Sequence, residues 1–158
     1  MKKHFTLKKV LLYLGVVLIL MQFVRIDKTT TPAGANDFIT LTKPGEANAA
    51  VLKESCYDCH SSEARYPWYT NVAPLSWWIK HHINEGSHHL NFSEWGTYKS
   101  RRQDHKLEEC VEMLEEDEMP LGSYLWMHKQ AKLSKAQKDS LIVFFNSLRT
   151  HESDEPAR

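Results

Sequence analysis

The chain has only three cysteines among its 158 residues, too few for a disulfide scaffold. It also lacks net charge, since 20 basic side chains offset 20 acidic ones. That balance hides an asymmetry. Six Lys/Arg and one Asp fall in residues 1–28, leaving 14 basic and 19 acidic side chains beyond them, a net of −5. An acidic remainder carries no basic footprint of the kind nucleic-acid binding shows, so no nucleic-acid partner is expected. No paired carboxylates or other catalytic set stands out, and no enzyme activity is expected. A long membrane-type run is missing as well. Residues 10–24 form an apolar stretch broken by Gly15 and Gln22. At ~1.5 Å per residue it covers roughly 22 Å, short of the ~30 Å hydrocarbon core of a bilayer.

What is present is a five-residue motif, Cys56-Tyr57-Asp58-Cys59-His60. Two thiols three positions apart with an imidazole directly after them match the local signature for covalent attachment of c-type haem. The spacing follows from the chemistry: each S–H adds across one vinyl group of the ring, and the adjacent His60 ligates the iron. A Cys-x-x-Cys pair also occurs in thioredoxin-like couples, zinc sites and plain disulfides. A thioredoxin-like couple sits at a strand-to-helix turn, and no β-branched strand runs flank the motif. Zinc usually takes a second closely spaced ligand pair of the finger type, for which the downstream candidates are His81, His82, His88 and His89. Five Trp, six Tyr and six Phe supply flat apolar side chains of the kind that line a porphyrin. One covalently bound haem c is the expected cofactor.

Lys2, Lys3, Lys8 and Lys9 precede the apolar run. Extended over residues 5–26 with its lysines snorkelling, the run reaches membrane length. Ala33-Gly34-Ala35 lies too far beyond it for comfortable signal cleavage. The expectation is therefore an uncleaved single-pass anchor in the cytoplasmic membrane, with the lysines inside and residues 29–158 in the periplasm. In bacteria, c-type haem is attached on that side.

Beyond the run, residues 29–43 show no apolar period and read as a linker. A first helix starts with Pro44 at its first position and runs into the cysteines. Residues 61–69 read as loop. Pro74 opens a second helix closed by Gly86, with Leu75, Trp78, Ile79, His82 and Ile83 on its apolar face. His88 and His89 fall in a polar loop. A third helix covers residues 103–116, burying Leu107, Cys110, Val111 and Leu114, with Cys110 a small apolar filler. Seven acidic residues between Glu108 and Glu118 form a solvated face or a docking patch for a basic redox partner. Ser134 and Gln137 make a capping box ahead of Leu141, Phe144, Phe145 and Leu148. Residues 151–158 are a polar tail.

A haem with His on one side is closed or open on the other. Met113 and Met127 are explained by core packing. Met119, in Glu118-Met119-Pro120-Leu121-Gly122, lies in a loop suited to presenting a thioether. His60, then Met119-Pro120, then a capped last helix, resembles the order of parts in small single-haem cytochromes c. Arg65-Tyr66-Pro67-Trp68-Tyr69, Trp77-Trp78, Leu90-Asn91-Phe92-Ser93-Glu94-Trp95 and Glu118-Met119-Pro120 resemble the bacterial "haem-binding domain" family of exported, often membrane-anchored proteins, over residues 46–149. The resemblance implies Cys56 and Cys59 as attachment residues, His60 as proximal ligand and Met119 as distal ligand, with His82 and His81 as rivals. It implies an all-α, cytochrome c-like domain over residues 44–150, after an anchor or signal peptide (1–28) and a linker (29–43). The implied function is one-electron transfer at the outer membrane face. A haem-based sensor or small-ligand binder with an open sixth position is the alternative.

Overall fold

A computed structural model describes residues 7–149, and every regular element among them is helical. The all-α expectation therefore holds. In chain order the α-helices are α1 (Leu7–Met21), α2 (Phe38–Thr42), α3 (Gly45–Ser55), α4 (Tyr57–His60), α5 (Leu75–His89), α6 (Ser100–Glu115), α7 (Gly122–Leu125) and α8 (Lys135–Leu148). Short 3-10 turns at Trp68–Asn71, Phe92–Thr97 and Lys129–Ala131 link them. The polar tail lies outside the described residues.

The sharpest correction concerns residues 29–43. They are no free linker. Asp37 caps α2 by accepting from Thr40 N at 3.2 Å, and Phe38 is fully buried at the centre of the core. Its ring lies 5.0 Å from Phe92, 4.9 Å from Trp95 and 6.0 Å from Phe145. Upstream, the chain is stitched onto the domain: Thr31 N donates to Ser62 O and Ala33 N to Glu63 Oε1. One aromatic in a polar stretch gives no period to detect, because α2 lasts little more than a turn.

The N-terminal run forms α1 with no buried residue. It stops at Met21, short of the expected residue 26, and residues 1–6 lie outside the description. No helix among the described residues is long and apolar enough to cross a membrane. The helix ends where the chain begins to bond the domain. Gln22 exchanges two hydrogen bonds with the Ala73 backbone, at 2.9 and 3.0 Å, and Trp77 Nε1 donates to Val24 O at 3.0 Å.

The third and last expected helices appear within a few residues of their expected bounds. Leu107, Val111 and Leu114 of α6 face Leu141 and Phe145 of α8 across the core. The capping box on Ser134 and Gln137 is formed. Cys110 packs half-buried against the same cluster. Pro44 caps α3 from outside rather than starting it. Helix α5 differs more. It runs through Gly86 to His89, and the side it buries carries Ser76 and Ile83, whereas Leu75 and Trp78 are 42% and 45% exposed. Its packing side is set by α4 and the Trp68–Asn71 turn, so the expected apolar stripe is only partly a core face.

Candidate functional site

Helix α3 breaks at Cys56, whose φ of −123° and ψ of −42° leave the helical basin. The chain then makes one further turn, with Cys59 N and His60 N both donating to Cys56 O, at 3.2 and 3.0 Å. Positions i, i+3 and i+4 of such a turn share one side. The break therefore gathers the two thiols and the imidazole, while the two intervening residues point inward. Tyr57 stacks on Phe92 at 5.4 Å between centroids and donates to Asp37 Oδ2 at 3.0 Å. Burial and the Asp37 carboxylate push its hydroxyl above the usual tyrosine range.

Burial raises the Cys56 thiol to about 12 and the Cys59 thiol to about 11. Both are thus thiols at neutral pH, opposite to the depressed values of disulfide oxidoreductases. His60 Nδ1 lies 3.0 Å from Gly86 O and 3.2 Å from Leu90 O. With carbonyls on that side, Nδ1 carries the hydrogen and donates it, which leaves the Nε2 lone pair free. Desolvation lowers the affinity of His60 for a proton, the two carbonyls opposing it. A neutral imidazole held through Nδ1–H to a backbone carbonyl is the form in which histidine ligates metals. These residues fit a covalently held haem.

Gly86 is read in sequence as a helix stop, yet it stays inside α5. A Cβ there would lie 2.9 Å from Cys59 O and 3.1 Å from Cys59 Cβ, so the glycine marks the close approach of α5 to the Cys56–His60 turn. Alanine is favoured over glycine in a helix by about 1 kcal/mol. The clash is with backbone, however, and Gly86→Ala should still destabilise the domain, by about 1–3 kcal/mol. Urea unfolding measures this, and an unchanged or raised midpoint would contradict the packing.

Asp58 has no role that the motif itself reveals. It is 5% exposed and accepts four hydrogen bonds. Three come from Arg65, through N (3.1 Å), Nε (2.9 Å) and Nη2 (3.0 Å), and one from Tyr124 Oη at 2.7 Å. Arg65 also reaches Glu54 Oε2 at 3.0 Å. The ring of Tyr124 stacks on His128 with centroids 4.0 Å apart. His128 in turn donates from Nδ1 to Tyr124 O at 3.1 Å and accepts from Tyr69 Oη at 2.9 Å. No short-range pattern signals this network, because its members are spread from residue 54 to residue 128.

Met119 sits half-buried just after α6, its N–H donating to Met113 O at 3.3 Å. Among the described residues no hydrogen bond joins Met119 to the motif; Tyr124, five residues further on, does bond Asp58. His82 holds to its own helix, Nδ1 2.9 Å from Trp78 O and its ring 4.2 Å from Trp78. His81, His88 and His89 are exposed. The last two lie on the final turn of α5 rather than in a loop. No cluster of three or more His, Cys, Asp or Glu suited to a metal ion occurs among the described residues. Met127 is 57% exposed and so is no core residue. Part of the acidic face is neutralised within the fold, Glu108 by Arg149 and Asp117 by Lys138, each at 2.7 Å. A concavity of about 720 Å³ between the end of α6 and α8 contains none of the motif residues.

Neither the curated proteins nor the solved structures yield a match to the chain. A protein family described as a haem-binding domain does match, over residues 16–147, starting well before the residue 46 expected and so including α2 and the stitched segment before it. With that match spanning most of its length, the chain belongs to the haem-binding domain family.

Proposed function

We propose that the chain holds one haem c and carries single electrons at the outer face of the cytoplasmic membrane. The observation that carries this reading is His60, fixed through Nδ1 by Gly86 O and Leu90 O directly after two gathered thiols. Cys56 and Cys59 form the two thioether links, and His60 Nε2 takes the proximal position. Met119 closes the distal side. When bound, the haem supplies an iron that accepts and releases one electron. The protein's part would be to supply His60 and Met119 as ligands that leave no exchangeable position, and thioether ligation raises the reduction potential. Helix α1, with its apolar side chains exposed, is the part of the chain that would anchor the domain to the bilayer. Glu112, Glu115, Glu116 and Glu118 remain exposed and offer a docking face for a basic redox partner.

The absorption spectrum of the oxidised, exported domain tests Met119. A thioether on ferric iron gives a weak long-wavelength charge-transfer band. Met119→Leu should lose that band, lower the reduction potential and let the reduced protein bind carbon monoxide, all with the haem still attached. An unmodified protein that lacks the band and binds carbon monoxide rapidly is instead an open-site sensor or ligand carrier.

A further inference from the structure

The two sides of the proposed iron site come from segments some sixty residues apart, and hydrogen bonds between them run through one carboxylate. Asp58 lies inside the attachment turn. Tyr124 lies on α7, the short helix that follows Met119-Pro120-Leu121, and its N–H closes back on Leu121 O at 2.9 Å. The hydroxyl of Tyr124 donates to Asp58 Oδ2 at 2.7 Å and touches Glu54 O at 3.3 Å. Arg65 bonds both oxygens of the same carboxylate, which holds it in place. On the far face of the tyrosine, His128 stacks and bonds to both Tyr124 O and Tyr69 Oη. The tyrosine is thus clamped at its ring, its carbonyl and its hydroxyl.

We propose that Asp58 and Tyr124 are positioning residues that fasten the distal loop to the haem-attachment turn, so that covalent attachment on one side fixes the ligand on the other. This rests on Met119 being the distal ligand. The Asp58–Tyr124 bond is part-buried and made to a carboxylate, and charge-assisted bonds are the stronger class. Its loss shifts the closed-to-open ratio of the loop by about tenfold to a hundredfold. Attachment itself is untouched, because neither residue supplies a sulfur.

The test uses the full chain matured with haem, comparing wild type, Met119→Leu and Tyr124→Phe. Phenylalanine keeps the stack on His128 and removes only the hydroxyl. The inference predicts that Tyr124→Phe keeps the haem mass and both thioether links, loses most of the charge-transfer band, and raises carbon monoxide uptake by the reduced protein by about tenfold or more. Asp58→Asn, read the same way, stands in if Tyr124→Phe yields too little protein. A variant that melts earlier but keeps the wild-type band and stays inert to carbon monoxide makes Tyr124 merely structural and overturns the inference alone. A wild type without the band, indistinguishable from Met119→Leu, overturns the Met119 reading and the inference with it.

Discussion

Phe38→Ala should lower the unfolding free energy by about 3–5 kcal/mol, the range for a large aromatic removed from a core. That is a substantial part of the 5–15 kcal/mol typical of a whole domain. The upper half of the range is expected here. Phe38 is fully buried, and its ring has aromatic neighbours on several sides: Phe92, Trp95, Phe144 and Phe145. These come from the Phe92–Thr97 turn and from α8, so collapse into the void requires separate elements to move together. The effect should also reach the haem site, because Phe92 is both the neighbour of Phe38 and the stacking partner of Tyr57 inside the motif. Urea unfolding of the haem-loaded domain measures the loss. A change below about 1 kcal/mol, the scale of a surface substitution, would mean that residues 29–43 are the detachable linker their composition suggests.

That residue also shows where sequence patterns carry information and where they do not. The Cys-x-x-Cys-His motif is legible because its five residues are contiguous, so its spacing can be read independently of the fold around it. Helices α6 and α8 are legible because each runs several turns with apolar residues at helical spacing, and α8 has a capping box as well. Phe38 escapes because α2 has five residues and offers no period to count. Gly86 misleads because glycine has two uses, ending a helix and admitting a close neighbour, and only the approach of Cys59 tells them apart. The face of α5 misleads because Trp78 and Leu75 look buried by type, whereas the helix packs through the smaller Ser76 beside Ile83. Asp58 is invisible for a different reason. A carboxylate within a Cys-x-x-Cys pair reads as a spacer until its partners, at residues 65 and 124, are brought to it by the fold.

The joint variant Cys56→Ala, Cys59→Ala should carry no covalent haem at all, against one haem mass that survives denaturation in the wild type. Each single variant should keep one thioether link and lose the other. The complete loss follows from the cysteine inventory. Only Cys110 remains among three, and it cannot replace either partner. It lies on α6 among Leu107, Val111 and Leu114, without a histidine directly after it, and burial pushes its thiol up to about 12. Cys110→Ala should therefore leave the haem mass unchanged. His60 in the joint variant still has its Nδ1 partners, Gly86 O on α5 and Leu90 O just after it, so some haem can bind without a link. Mass spectrometry after denaturation separates the two cases, because ligated but unlinked haem is released and thioether-linked haem is not. A joint variant that retained denaturation-resistant haem would move the attachment site to Cys110 and remove the basis for assigning His60 to the iron.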